Sequence, residues 1–221
     1  MKTKKDNYTN LYSKQNSNNL WPTEFAVRAI LGRSYNFEKS YNLKNALDLG
    51  FGDGRNLKLL QSVSNNVYGL EISEEICKKA AINFPEIKFI DGFSHSIDIK
   101  DNFFSLILAV HSIYYCDKAP IEDNFSEVNR ILEPKGRVIF SIPKSNSYLI
   151  KNSKKLPNNY VSVLSDPLNI RNGYILKYFL NSNDLEDFLI YLNFEDIHIG
   201  SCESNWWGIN EFYWIVSCQK K

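Results

Sequence analysis

The stretch Ala46-Leu47-Asp48-Leu49-Gly50-Phe51-Gly52-Asp53-Gly54-Arg55-Asn56 runs from a short apolar segment, ended by an aspartate, into three glycines at every second position. Such a turn brings backbone close to a ligand, because glycine carries no Cβ and reaches positive φ without strain. The spacing is Gly-x-Gly-x-Gly. Dinucleotide folds use Gly-x-Gly-x-x-Gly, and a Walker loop needs Gly-Lys-Ser/Thr, which does not follow here. Charge separates the remaining ligands. Asp48 ends the apolar run and Asp53 lies inside the loop, with Arg55 beside them. A pyrophosphate would meet both carboxylates, and like charges about 4 Å apart repel by roughly 4 kcal/mol at an effective dielectric near 20. A ligand carrying an ammonium and a sulfonium is attracted instead.

Outward from this loop the chain alternates. Strands are predicted at 45–49, 66–72, 87–91, 103–110 and 136–143, and helices at 23–31, 53–63, 74–84 and 121–133. Several of the strands are apolar almost throughout, as strands covered on both faces are. This alternation predicts an α/β fold with a largely parallel, doubly wound sheet, whose ligands bind beyond the carboxyl ends of the strands. Residues 194–200 and 209–218 form two closing strands after a helix at 182–192. Their short link, 201–208, favours antiparallel pairing at that edge. Within it, Trp206 and Trp207 cannot easily both face inward, so one is a candidate ligand contact. Residues 1–20, polar and rich in Asn and Lys, are expected to be a flexible tail. Residues 144–173 are expected to be an irregular, lid-like insertion in a single domain spanning 21–221.

Two further acids mark strand ends. Glu71 lies 21 residues after Gly50, about the separation at which a carboxylate accepts the ribose hydroxyls of a nucleoside. Asp91 ends the third strand and is placed to accept from an adenine amine, with the Gly92 and Phe93 backbone alongside. Asp48, Glu71 and Asp91 thus share one rim of the sheet.

With these residues in place, the chain resembles the class I S-adenosylmethionine-dependent methyltransferases of small-molecule type. The resemblance rests on Leu47–Asn56, Val67–Ser73, Phe89–Gly92, Phe103–Tyr115 and Glu127–Pro143, in the family's order. It implies a Rossmann-like, seven-stranded, mostly parallel sheet with an antiparallel last strand. It implies S-adenosylmethionine as cofactor, with Asp48, Gly50, Gly52 and Gly54 along the methionine half, Glu71 on the ribose, Ile72 against the adenine, and Asp91 with Gly92 at the adenine amine. Ala109 and His111 would lie near the transferable methyl. Arg28, in a segment that resembles one preceding the core of some relatives, is a candidate for the cofactor carboxylate. The chain departs from the family in Ser105, where an acid is common, and in Pro134-Lys135-Gly136, where Pro-Gly-Gly is common. Both positions are mainly structural in the family.

The expected reaction is methyl transfer to an oxygen or nitrogen of a small polar acceptor, a sugar or an amine-bearing metabolite. A hydroxyl acceptor needs a base, for which His111 is the first candidate and His198 a distant second. A lone histidine after a buried strand is more often a hydrogen-bonded structural residue than a base. The Asn/Asp-Pro-Pro-aromatic motif of nucleic-acid and glutamine amino-methyltransferases is replaced by Ala109-Val110-His111-Ser112. Lysine and arginine number 26 against 25 acids, which leaves no basic footprint for nucleic acid or a membrane surface. Two other readings stay open: a nicotinamide-dependent oxidoreductase, and a protein that binds S-adenosylmethionine without turning it over. The four cysteines are scattered without a Cys-x-x-Cys pair, which suits free thiols in a cytoplasmic protein and suggests no metal site. Nothing in the sequence sets the oligomeric state.

Overall fold

The computed structural model describes residues 4–13, 20–32, 43–167 and 169–221. A seven-stranded sheet forms the centre, in the order β3 (Lys88–Asp91), β2 (Ser64–Glu71), β1 (Leu43–Leu49), β4 (Phe104–Ala109), β5 (Leu132–Pro143), β10 (Ile209–Lys220), β9 (Phe194–Trp206). The first five are mutually parallel. β10 runs antiparallel to both β5 and β9. This is the doubly wound sheet with an antiparallel last strand that the resemblance implies. Chain order reverses between β1 and β4, so the switch point lies at the end of the quoted loop.

Strand periodicity builds the two layers. In β4, Leu106 and Leu108 point into the layer holding α2 (Glu24–Leu31), α3 (Leu57–Gln61) and α4 (Glu74–Asn83). Ile107 and Ala109 point into the opposite layer, with α5 (Ile121–Ile131) and α7 (Ser182–Tyr191). α4 starts where expected, because the Ser73 hydroxyl accepts from the Ile76 amide and Glu74 and Glu75 fill the first turn. The helix predicted from residue 53 begins only at Leu57. The glycines first close turns, through Gly54 N–H to Phe51 O and Leu57 N–H to Gly54 O.

Three expectations change. Residues 1–3 and 14–19 of the expected tail lie outside the described residues, but Lys4–Ser13 form a helix, α1. Tyr8 and Tyr12, four residues apart, share one face of it and stack at 6.0 Å. The expected irregular insertion contains a short helix, α6 (Tyr148–Lys151), and part of a small antiparallel sheet, β6 (Ser153–Leu156), β7 (Tyr160–Val163) and β8 (Ile175–Lys177). Strands this short carry too few alternations to be seen in sequence. The link expected at 201–208 is mostly strand. β9 and β10 continue to a two-residue turn, Trp207-Gly208, with φ of 51° and 90°, the type I′ geometry that suits the twist of a hairpin. Trp206 and Trp207 stand exposed at its tip and pack on each other.

Candidate cofactor and acceptor site

Gly50, Gly52 and Gly54 all have positive φ, at 74°, 56° and 83°. Two of them are also places of close approach. A Cβ on Gly50 would lie 2.4 Å from Cβ of Ser112, in the segment after β4, and the Ser112 hydroxyl is bonded to Leu49 O. A Cβ on Gly52 would lie 2.8 Å from the Tyr12 hydroxyl of α1. The loop is pinned to β2 by the Gly50 and Phe51 amides, which both donate to Leu70 O.

Asp48 is fully buried beneath this loop, and its Oδ2 has no hydrogen-bond partner among the described residues. Burial, then the charges of Asp53 and Glu71, push its carboxyl up to about 8. Asp53 is already neutralised: the Arg55 guanidinium forks onto it, with Nε 3.0 and 3.1 Å from its two oxygens. The unpartnered carboxyl beneath the loop is therefore that of Asp48. Glu71, also buried, accepts from the Ile72 amide at 2.8 Å and the Gly52 amide at 3.3 Å. Burial raises its carboxyl, and those two amides oppose the rise. Asp91 pairs with Glu71 across β2 and β3 and is exposed, with the Gly92 amide donating to Glu71 O. Ile72 is half-buried beside them.

An acceptor oxygen buried without a donor, over a loop open only to glycine, suits a cationic group. The residues present therefore fit S-adenosylmethionine, whose ammonium and sulfonium supply the missing positive charge. A cavity bounded by Tyr12, Gly52, Asp53, Ile76, Lys79 and Phe84 opens beside the loop, between α1 and α4.

Ala109 is buried at the end of β4, and His111 follows with φ of 53°. The His111 amide and Nδ1 both meet the Ser141 hydroxyl, at 2.9 and 3.0 Å, which clamps the ring against β5. Its ring packs on Tyr213 at 4.2 Å and on Phe25 at 6.1 Å. Burial, then the charges of Arg171 and Arg55, lower its imidazole to about 4. His111 is therefore neutral near pH 7 and weakly basic. Arg28 stands on the exposed side of α2, ion-paired with Glu24 at 2.8 Å. His198 is on β9 against Asp196. The structure thus gathers Asp48, the three glycines, Glu71 and Ile72 around the loop, continues the rim through Asp91 and Gly92, and places Ala109 and His111 just past the neighbouring strand. It leaves His198 on the far edge of the sheet.

Sequence reasoning missed α1 and Arg171. The Tyr8 hydroxyl bonds to that of Tyr115 at 2.5 Å, Thr9 bonds to Ser73 at 2.7 Å, and Lys79 donates to Tyr12 O at 2.9 Å. The four-residue spacing of Tyr8 and Tyr12 is the signal that was present. Arg171, a lone cation in a polar stretch, carried none. The insertion itself is tied to the end of β4: the Cys116 amide donates to Ile175 O at 2.8 Å, and the Lys177 amide to Tyr114 O at 3.1 Å.

Comparison with known proteins agrees with this geometry. Residues 47–140 match a family described as "Methyltransferase domain". An uncharacterised methyltransferase of Synechocystis, sll0829, is 26% identical over 93 residues, a match covering 42% of this chain and 44% of that protein. Thus the match spans less than half of that relative's length. A S-adenosylmethionine-dependent methyltransferase of Methanosarcina mazei superposes with a TM-score of 0.66 at 16% identity, covering 91% of this chain and 99% of the other. The 1,6-didemethyltoxoflavin-N1-methyltransferase of Burkholderia thailandensis, solved with its acceptor and S-adenosylhomocysteine, gives 0.64 at 14% identity, covering 98% and 84%. At such identities the superpositions speak for the fold. The sheet has the fold of the S-adenosylmethionine-dependent methyltransferases, and residues 47–140, less than half of the chain, match the methyltransferase-domain family. Among the described residues no helix is long and apolar enough to cross a membrane, and no cluster of His, Cys, Asp and Glu is arranged for a metal.

Proposed function

We propose that this protein transfers a methyl group from S-adenosylmethionine to an oxygen or nitrogen atom of a small polar acceptor. The observation that carries the reading is the unpartnered Asp48 oxygen beneath the glycine loop at the switch point. When bound, the cofactor supplies a methyl already activated on sulfur, so the chain's own contribution is alignment and exclusion of water. Asp48, Gly50, Gly52 and Gly54 hold the methionine end, Glu71 the ribose, and Ile72, Asp91 and Gly92 the adenine. Ala109 and His111 border the methyl. His111, clamped by Ser141, aligns the acceptor; a proton passes to it only with difficulty, given its low basicity. Residues 144–173 cover the acceptor side as a lid.

Thermal unfolding with S-adenosylmethionine, S-adenosylhomocysteine or NAD tests the reading. A ligand at about a hundred times its Kd adds roughly 2.7 kcal/mol, a rise of roughly 5–10 °C for a chain of this size. The expected result is a rise with the two sulfur nucleosides and none with NAD. A rise with NAD alone would move the protein to the oxidoreductases.

A further inference from the structure

The two edges of the central sheet are finished differently. β3 closes one edge with 4 residues and opens on Lys88, short and charged as edge strands that resist pairing are. β9 closes the other with 13 residues and no proline. Among the described residues no strand or isolated bridge pairs with its outer side. The pairing of β10 with β9 starts at Ile209, whereas its pairing with β5 starts only at Tyr213. The end of the hairpin therefore runs past the sheet as a two-stranded ribbon.

The ladder fixes which backbone groups face outward. The turn at Trp207-Gly208 is closed by the pair Trp206 and Ile209, so Trp206, Ser204, Cys202, Gly200 and His198 bond to β10. The N–H and C=O groups of Asn205, Glu203, Ser201 and Ile199 point away from it. Asp196, with φ of 47°, and the register shift between Ser217 and Gln219 end this regular run on one side, and the turn ends it on the other. Cys202 is the middle residue of the run 198–206. Around it residues 200–203 are exposed in succession, although a covered strand would hide alternate side chains. The charges of the edge are met within the chain: Glu203 by Lys144, and Asp196 by Arg137 and His198.

We propose that β9 pairs antiparallel with β9 of a second copy of this chain, about a two-fold axis at Cys202, so that the two sheets become one. In that register Cys202 faces Cys202 of the second copy, Ser201 faces Glu203, Gly200 faces Ser204, Ile199 faces Asn205, and His198 faces Trp206. Every outward group from Ile199 to Asn205 gains a partner, and no like charges stand opposite each other. The edge is thus complementary to itself, as a two-fold interface requires. The pairing is independent of methyl transfer, because β9 stands at the edge of the sheet away from the glycine loop.

The test is sedimentation velocity of the full chain under reducing conditions, from about 1 to about 100 μM. A single strand pair makes a small interface, so the expected result is a monomer at the low end that shifts to a dimer at the high end. Ser201→Pro removes an outward N–H and leaves the ladder to β10 whole. It should weaken association at least about tenfold without changing the melting temperature of the monomer. Ser201→Asp keeps the N–H and sets a carboxylate opposite Glu203 of the second copy, and should weaken association in a way that salt partly reverses. Diamide should then link the unmodified dimer through Cys202, since facing residues of a non-hydrogen-bonded antiparallel pair stand about 4.5 Å apart at Cα, within disulfide reach. The other three cysteines are buried. Cys202→Ser should dimerise without the link. A chain that stays monomeric throughout, a dimer that withstands both changes at Ser201, or a dimer that cannot be linked through Cys202 overturns the proposal.

Discussion

The glycine-loop side of the switch point and the tyrosine-rich side facing α1 are built by different means. The cofactor half is acidic, rests on strand ends and glycines of the central sheet, and depends on backbone that no side chain is allowed to crowd. The tyrosine-rich side comes from α1, the segment after β4 and the insertion, where Tyr8, Tyr115 and Tyr174 pack on one another. Under the proposed function, binding of the donor belongs to the sheet and choice of acceptor to the additions laid over it. On the loop side a side chain added at a glycine should damage the fold and donor binding together.

The largest effect tests the first side of that contrast. Gly50→Ala places a Cβ at φ 74° and 2.4 Å from Ser112. It should cost about 2–4 kcal/mol in chemical denaturation and remove detectable S-adenosylhomocysteine binding. A stable variant with unchanged binding would break the comparison at its strongest point.

Asp48→Asn should weaken S-adenosylmethionine by about 100-fold or more while stabilising the unliganded protein at alkaline pH. The sign follows from linkage. Asp48 is raised from 3.8 to about 8 on folding, so between those values the folded chain holds a proton that the unfolded chain has lost. Its contribution to stability therefore falls as pH rises from about 4 to about 8 and then levels. Affinity for the cationic donor runs the other way, climbing by up to about tenfold per pH unit below that midpoint. Melting curves and titrations across pH 6–9 (roughly the window the raised carboxyl spans) check both, and the Asn variant should flatten each.

Much of the acidic half was legible because its residues punctuate strands. Asp48, Glu71 and Asp91 each close an apolar run, and strand ends are where an open α/β sheet binds ligands. The other half was hidden for physical reasons. The strands of the insertion are three or four residues long. The helical state of Lys4–Ser13 is supported by contacts of Tyr8, Thr9 and Tyr12 with distant residues, not by an apolar stripe. Arg171 meets the Tyr148 ring only through tertiary folding.

The smallest effect probes that hidden half. Tyr8→Phe removes one side of the Tyr8–Tyr115 bond and should cost about 1 kcal/mol of stability, with donor affinity within about twofold of the unmodified protein. Faster hydrogen exchange across α1 with unchanged exchange at β1 would mark the helix as the separable part. Equal loosening of both would join the two halves into one unit.

The hairpin of β9 and β10 has a consequence for how this molecule is watched. Three of its four tryptophans already face water: Trp21, Trp206 and Trp207 are 84%, 55% and 94% exposed. Their emission changes little when the chain opens. Trp214 differs, with its indole N–H on Phe179 O at 3.3 Å and the Lys144 ammonium 4.4 Å from its ring centre. Intrinsic fluorescence is therefore close to a single-site reporter. It records the seam where the insertion meets the last strand, against a bright and nearly constant background, and is largely silent about the glycine loop.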